Sequence, residues 1–133
     1  APGVESANVA DQTGDPASLL SHYRSLIALR AAHPALRSGS VTQMTELTRG
    51  IHAYLRADGD EIIAVIANVS DEPIDGASLT LDAGPLCGAP TVEVLLGDAT
   101  VRSPAVNATG GFDAYVPIDH LEPRQAVVFR LSP

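Results

Sequence analysis

A change of hydrophobic period at about residue 40 constrains the fold of this chain more than any other feature. Residues 15–39, DPASLLSHYRSLIALRAAHPALRSG, repeat apolar side chains at helical spacing. Beyond them the chain consists of short β-type runs separated by Gly, Pro and Asp, with no second helical pattern. A chain of 133 residues is the size of one ordinary domain. We therefore expect one helix in front of a β domain.

The predicted helix has a defined beginning, end and apolar side. Asp15 is a good N-cap, and Pro16 suits the first helical position. Pro34 marks the end, because proline disfavours helical backbone in the residue before it. At about 100° per residue, five apolar side chains fall within about a third of the helix circumference. This stripe consists of Leu19, Leu20, Tyr23, Leu26 and Ile27. It requires a hydrophobic partner.

Arg30 lies close to three helical turns after Leu19, so it points into the same stripe. One interpretation is that its long side chain reaches past the last turn into water, where a cation also suits the helix C-terminus. The other is that a hydrogen-bonded or ion-paired guanidinium ties the helix to a neighbouring layer. The residues alone leave both interpretations open.

From residue 41 onward, apolar and polar side chains alternate with period two. The predicted strands are 41–48, 51–57, 61–69, 77–83, 91–96, 110–118 and 124–131. The run at 61–69, EIIAVIANV, is apolar on both faces, which predicts a central strand covered on both sides. We therefore expect a mainly β fold, an antiparallel β-sandwich of about seven or eight strands of Greek-key type, preceded by the amphipathic helix. Residues 1–14 are small and polar and are interpreted as a linker or a cut end.

The sequence predicts no catalytic residue, cofactor or metal site. Asp58, Asp60 and Glu61 are close together, but they fall on a predicted hairpin tip where carboxylates are solvated. Cys87 is the single cysteine, and the four histidines show no metal-ligand spacing. No nucleophile, phosphate-binding or zinc-protease motif is present.

The charge of the chain argues against two classes of partner. The formal net charge is −8, and every basic residue except histidine is arginine. Such a surface repels nucleic acid and anionic membrane. No apolar run approaches the about 18 residues of a membrane span. We expect a soluble protein and leave its compartment, cytoplasmic or secreted, unassigned.

Carbohydrate binding is an alternative function, because sugar-binding sites commonly expose aromatic rings on which apolar sugar faces stack. The chain has no tryptophan. Tyr54 and Tyr115 alternate opposite to the apolar residues of their predicted strands, so these two rings are the candidates for a weak sugar contact. Both rings are equally compatible with burial beneath the helix.

The order of motifs resembles the C-terminal region of the α-amylase family of glycoside hydrolases. The matching segments are NVADQ at 8–12, DPASLLSHYRSLIALRAAHPALRSG at 15–39 and IHAYLRADGDEIIAVIANVSDEP at 51–73. In that family, similar segments mark the last helix of the catalytic (β/α)8 barrel and the first strands of a C-terminal antiparallel sandwich. The resemblance is dense up to about residue 73 and looser beyond it.

The resemblance implies that residues 15–38 are similar to the last barrel helix and that residues 39–133 are the C-terminal sandwich. Arg30 falls on the arginine of the family's helix motif, which favours the paired interpretation. The family's catalytic carboxylates lie upstream on barrel strands, and a barrel takes about 250 residues. The chain is therefore expected to be a non-catalytic domain that covers and stabilises the barrel of the same polypeptide. Isolated, it could form a homodimer through the exposed helix.

Overall fold

A computed structural model describes residues 9–133, which form three helices and ten strands. The helices are α1 (Val9–Thr13), α2 (Leu19–Ala32) and α3 (Pro34–Ser38). The strands are β1 (Ser40–Gln43), β2 (Thr45–Glu46), β3 (Ile51–Asp58), β4 (Glu61–Asn68), β5 (Ile74–Asp75), β6 (Leu79–Leu81), β7 (Thr91–Leu96), β8 (Phe112–Tyr115), β9 (His120–Leu121) and β10 (Ala126–Ser132). The chain divides between His33 and Pro34 into two compact units. The mainly β fold with a preceding helix is confirmed.

The first unit contains α1 and α2. Of the predicted linker 1–14, residues 1–8 lie outside the described residues, while Val9–Thr13 form a helix. The predicted start of the main helix is wrong, because α2 begins at Leu19 and its N-cap is Ser18. Asp15 instead forms a turn, in which its carboxylate accepts a hydrogen bond from the Ala17 N–H at 2.9 Å. An Asp side chain that bonds its own backbone two residues on competes with capping.

The predicted end of the helix is confirmed. α2 stops at Ala32, and His33 is the C-cap in extended conformation, with φ −115° and ψ 107°. The pyrrolidine of Pro34 imposes that conformation on the residue before it and then begins α3. α3 belongs to the second unit and packs on β3 and β4. The two compact units thus divide between His33 and Pro34. The predicted division into a barrel-type helix at 15–38 and a sandwich domain at 39–133 stays a prediction.

The second unit is a β-sandwich. One sheet has the strand order β1-β3-β4-β10-β7, a second has β2-β6-β8, and β5 pairs with β9 in a small ribbon. Every pairing is antiparallel. As predicted, the run at 61–69 forms a central strand, since β4 lies between β3 and β10.

The hydrophobic core lies between the two larger sheets. Alternate residues of β3, β4 and β10 point into it, and β6 and β8 supply the opposite wall. Its fully buried side chains include Leu55, Ile66, Leu79, Phe112 and Phe129. One face of the five-stranded sheet is thus buried in the core.

Two local features raise the strand count above the seven or eight expected. The predicted strand 41–48 divides at Met44, so that β1 joins the five-stranded sheet while β2 joins the three-stranded one. The short strands β5 and β9 each contain only two residues and carry no alternation that could be detected. Strands that change sheet at a bend are common in sandwiches.

Candidate interaction surfaces

The apolar stripe of α2 is largely exposed. Leu19, Tyr23 and Ile27 follow one another at intervals of four residues and are 65%, 57% and 67% exposed. Leu20 and Leu26 beside them are half-buried. Isolated surface leucines are ordinary, but a row of large apolar side chains along one helix face is typical of an interaction site.

Arg30 lies in the last turn of α2 and is exposed. A cation at this end of the helix interacts favourably with the helix dipole. The paired interpretation of Arg30 stays a prediction.

Two polar residues hold the first turn of α2, and both were missed in the sequence. The Ser18 hydroxyl accepts from the Ser21 N–H at 3.2 Å and donates to the Gln12 carbonyl at 2.8 Å. The side-chain oxygen of Gln12 accepts from the Leu20 N–H at 3.1 Å. The glutamine that ends the NVADQ segment therefore satisfies one of the free N–H groups at the helix start.

The side of the five-stranded sheet that faces away from the core is a second surface, here called the outer sheet face. It is defined by Tyr54, Arg56, Ile63, Val65, Val128 and Arg130. The strand pairing aligns these residues in two rows, Arg56–Ile63–Arg130 and Tyr54–Val65–Val128. Ile63 is fully buried and Val128 is 6% exposed, whereas the other four are half-buried.

The two arginines of the outer sheet face donate hydrogen bonds to neighbouring elements. Arg56 donates from Nε to the Ala35 carbonyl of α3 at 3.0 Å. Arg130 donates from Nη2 to the Glu93 carboxylate on β7. The Nε of Arg130 is buried and has no hydrogen-bond partner among the described residues. Buried donors without partners are rare in folded proteins, so this atom requires an explanation.

The structure separates the two tyrosines that were candidates for sugar contact. Tyr54 lies on the outer sheet face, and its ring centroid is 5.6 Å from that of His52 in a tilted arrangement. Tyr115 is 7% exposed and packs edge-on against Phe112 in the core. Its hydroxyl donates to the Arg102 carbonyl, and burial raises its pKa above the ordinary value.

The expected outward position of Tyr115 is therefore wrong, and the reason is local. Ala114 has a φ of 48°, and the pairing of β6 with β8 shifts register between Leu79 and Leu81. This irregularity breaks the alternation, so Phe112 and Tyr115 both face inward. A shared stacking surface of Tyr54 and Tyr115 does not form.

A shallow cleft of about 190 Å³ opens beside Arg102, Asp119 and His120. Arg102 and Asp119 form a two-pronged ion pair with both distances at 2.6 Å. His120 Nδ1 lies 2.6 Å from Asp75, whose hydrogen bond raises the pKa of the imidazole. The cleft's cationic side chains are thus already paired within the protein.

Neither a metal cluster nor a membrane span is found in the part of the chain that the structure describes. No three His, Cys, Asp or Glu side chains among residues 9–133 lie close enough together to hold a metal ion. No helix in the same range is long and apolar enough to cross a membrane.

Comparison with known proteins places these surfaces in context. No family model matches the chain. It is 44% identical over 64 residues to a probable α-glucosidase of Rhizobium meliloti (strain 1021), a match that covers 48% of this chain and 11% of that protein. It is 35% identical over 94 residues to a cyclomaltodextrinase of a Bacillus species, covering 65% of this chain and 16% of that protein.

Solved structures match over nearly the whole chain. Trehalulose synthase from Pseudomonas mesoacidophila MX-45 is 32% identical with a TM-score of 0.68, covering 98% of this chain and 21% of that one. An isomaltulose synthase mutant from Erwinia rhapontici NX5, solved with D-glucose, is 26% identical with a TM-score of 0.67, covering 99% and 21%.

These relatives confirm the resemblance and define the class of the chain. It is a β-sandwich with a leading helix that matches the C-terminal region of α-amylase-family glycoside hydrolases. The chain spans 11% and 16% of the two curated relatives and about a fifth of the solved structures. The catalytic barrel of this family therefore lies outside the matched region.

Proposed function

We propose that this chain covers and stabilises the catalytic barrel of an α-amylase-family enzyme, as a non-catalytic C-terminal part of the same polypeptide. The enzyme would act on α-glucosidic bonds of starch-like glucans or oligosaccharides. The relatives support this substrate class, because one is named a probable α-glucosidase and another a cyclomaltodextrinase. Trehalulose and isomaltulose synthases among the structural neighbours extend the class to related sugar conversions.

The exposed stripe of α2 is the observation that carries the proposal. Leu19, Tyr23 and Ile27 are each more than half exposed, although their helix is firmly capped by Ser18 and Gln12. Full burial of a large apolar side chain contributes about 1.5–3 kcal/mol. A barrel surface that covered all three would gain several kcal/mol before the cost of ordering side chains.

A helix of 14 residues is also only marginally stable without tertiary packing. Most of the stability of such a helix comes from burial of its apolar side. The role proposed for the barrel is therefore mutual, because the stripe covers the barrel and the barrel supports the helix.

Light scattering of the purified chain tests whether the stripe is an association surface. Without a barrel, we expect the stripe to bury itself against a second copy, so the apparent mass should rise with concentration. The double variant Leu19→Ser/Ile27→Ser should remain monomeric at all concentrations. Circular dichroism checks that its β-sandwich is intact.

Leu47→Ser is the matched control, since Leu47 is 72% exposed but lies in the second unit, next to β2. This variant should associate like the wild type. If wild type and double variant are both monomeric and equally folded, the stripe is not an interface and the proposal loses its main support.

A further inference from the structure

We propose that α3 is an anchor that couples the stability of the sandwich to the stability of α2. The inference rests on the proposed function, because it names the element through which the sandwich supports the helix that would pack on the barrel. Different residues carry it. They are Gly39, Arg56 and Glu61, here called the α3 clamp.

α3 is too short to be stable by itself. It has five residues, and isolated helices shorter than about 12 residues are marginal in water. Ala35 in its first turn is fully buried, and α3 packs on β3 and β4. Contacts with the sandwich therefore keep this segment helical.

Two side chains of the sandwich bind the backbone of Ala35. The Glu61 carboxylate on β4 accepts a hydrogen bond from the Ala35 N–H at 2.8 Å. This N–H is one of the free donors at the start of a helix, where a negative charge is also favourable. The Arg56 Nε on β3 donates to the Ala35 carbonyl at 3.0 Å. Hydrogen bonds with a charged partner are stronger than those between neutral groups.

Gly39 allows α3 to lie close to β3. Its N–H donates to the Ala35 carbonyl at 3.2 Å, just after the last residue of the helix. A Cβ atom at Gly39 would lie 2.5 Å from the Ala35 carbonyl oxygen and 2.7 Å from the Ala57 carbonyl oxygen. Both neighbours are backbone atoms of packed elements, so a side chain here would push α3 away from the strand. The close approach explains the glycine that ends the segment HPALRSG at 33–39.

The clamped segment continues directly from α2. His33 is the C-cap of α2, and Pro34, the next residue, is the first residue of α3. The proline restricts the backbone of both residues at this junction. Holding one end of a helix limits the conformational entropy that the helix gains when it unfolds. The clamp should therefore stabilise α2, and without it α2 and the sandwich should unfold separately.

Scanning calorimetry of the longer polypeptide that carries this chain tests the coupling. We expect the wild type to unfold in one transition that includes the sandwich and the barrel. In Glu61→Ala and in Gly39→Ala, the sandwich should unfold in a separate transition, at least about 5 °C below that of the barrel. The 133-residue chain with the same substitution identifies the sandwich transition.

Glu61→Gln and Gly14→Ala are the matched controls. Glutamine keeps an acceptor for the Ala35 N–H, so it should preserve the coupling if the hydrogen bond is what matters. A Cβ atom at Gly14 meets nothing within 4 Å. Both controls should therefore keep the single transition of the wild type.

A single transition in both clamp variants, even at a lower temperature, would show that α3 only covers the sandwich and would overturn the inference. Two separate transitions in the wild type would overturn it as well. If Gly39→Ala does not fold, Glu61→Ala and Arg56→Ala decide the matter. The proposed function is tested independently by Leu19→Ser/Ile27→Ser, which changes the α2 stripe and leaves the α3 clamp intact.

Discussion

At the scale of single residues, Asn68 is a buried polar group of the sandwich with several hydrogen bonds. It is 1% exposed, and its side-chain nitrogen donates to the carbonyls of Glu72, Leu121 and Glu122 at 2.8, 3.3 and 3.0 Å. Its side-chain oxygen accepts from the N–H and hydroxyl of Ser70. The amide thereby joins the loop after β4 to the segment around β9. A fully satisfied buried amide of this kind fixes one arrangement of two loops.

Replacing Asn68 with alanine should lower the free energy of unfolding by about 2–3 kcal/mol, because it leaves buried carbonyls without donors. Urea denaturation monitored by circular dichroism measures the change. Asn68→Asp is the informative companion, since it keeps the size but removes the donors and faces a charge toward carbonyl oxygens. It should be at least as destabilising. A loss below about 0.5 kcal/mol for Asn68→Ala would show that water replaces the amide.

At the scale of elements, exposed charge pairs connect the two sides of the β5–β9 ribbon. Asp75 of β5 lies opposite His120 of β9, and Glu122 is 3.4 Å from the other imidazole nitrogen. Arg124 pairs with Asp71 at 2.7 Å between the same two segments. All these side chains are substantially exposed, so each pair contributes modestly. Asp75 is paired with a histidine and Asp71 with an arginine. Of these two basic partners, only His120 titrates near neutral pH.

The contribution of this pair to stability should therefore increase as the pH falls from about 8.5 to about 6. The hydrogen bond to Asp75 raises the pKa of His120 in the folded state. Its stabilising contribution is thus fully present below the unfolded pKa of about 6.5 and is lost as the pH rises through the folded pKa. Comparing urea unfolding of wild type and Asp75→Asn at both pH values checks this. The stability difference should be larger at the lower pH, and an equal difference at both would refute the coupling.

The sequence predicted elements well where periodicity decided and poorly where local hydrogen bonds decided. The central strand β4 and the end of α2 before Pro34 followed from apolar pattern and proline sterics. The start of α2 did not follow from these rules. Ser18 is the N-cap, whereas the Asp15 carboxylate accepts a hydrogen bond from the backbone two residues further on. The positive φ of Ala114 turns Tyr115 inward, and the alternation of apolar and polar residues does not predict such a bulge.

The sequence predicted one candidate surface, the α2 stripe, and only part of the other, the outer sheet face. The α2 stripe follows from spacing alone, because helical positions four residues apart share a face. The apolar half of the outer sheet face follows from the two-sided pattern of β4. The role of Arg130 could not be predicted, since its neighbours Ile63 and Glu93 are far from it in sequence and meet it only through strand pairing.

At the scale of the whole molecule, the sandwich buries its own core, while the apolar stripe of α2 remains uncovered. The stripe exposes Leu19, Tyr23 and Ile27, whereas Ile63 and Val128 of the outer sheet face are buried and Val65 is half-buried. The net charge of −8 keeps the remaining surface strongly hydrated. The exposed stripe is consistent with the proposed role of this region, which is to support a larger neighbour.

Thermal unfolding of the longer polypeptide tests this account most directly. The measurement compares wild type with Leu19→Ser/Ile27→Ser, together with the turnover of an α-glucosidic substrate at 25 °C. Loss of about 1.5–3 kcal/mol per buried side chain should lower the unfolding temperature by at least about 3 °C. Turnover by the folded protein should stay the same, because the proposed function assigns the catalytic groups to the barrel and not to this chain. An unchanged unfolding temperature, with the Leu47→Ser control also unchanged, would contradict the claim that this helix supports a barrel.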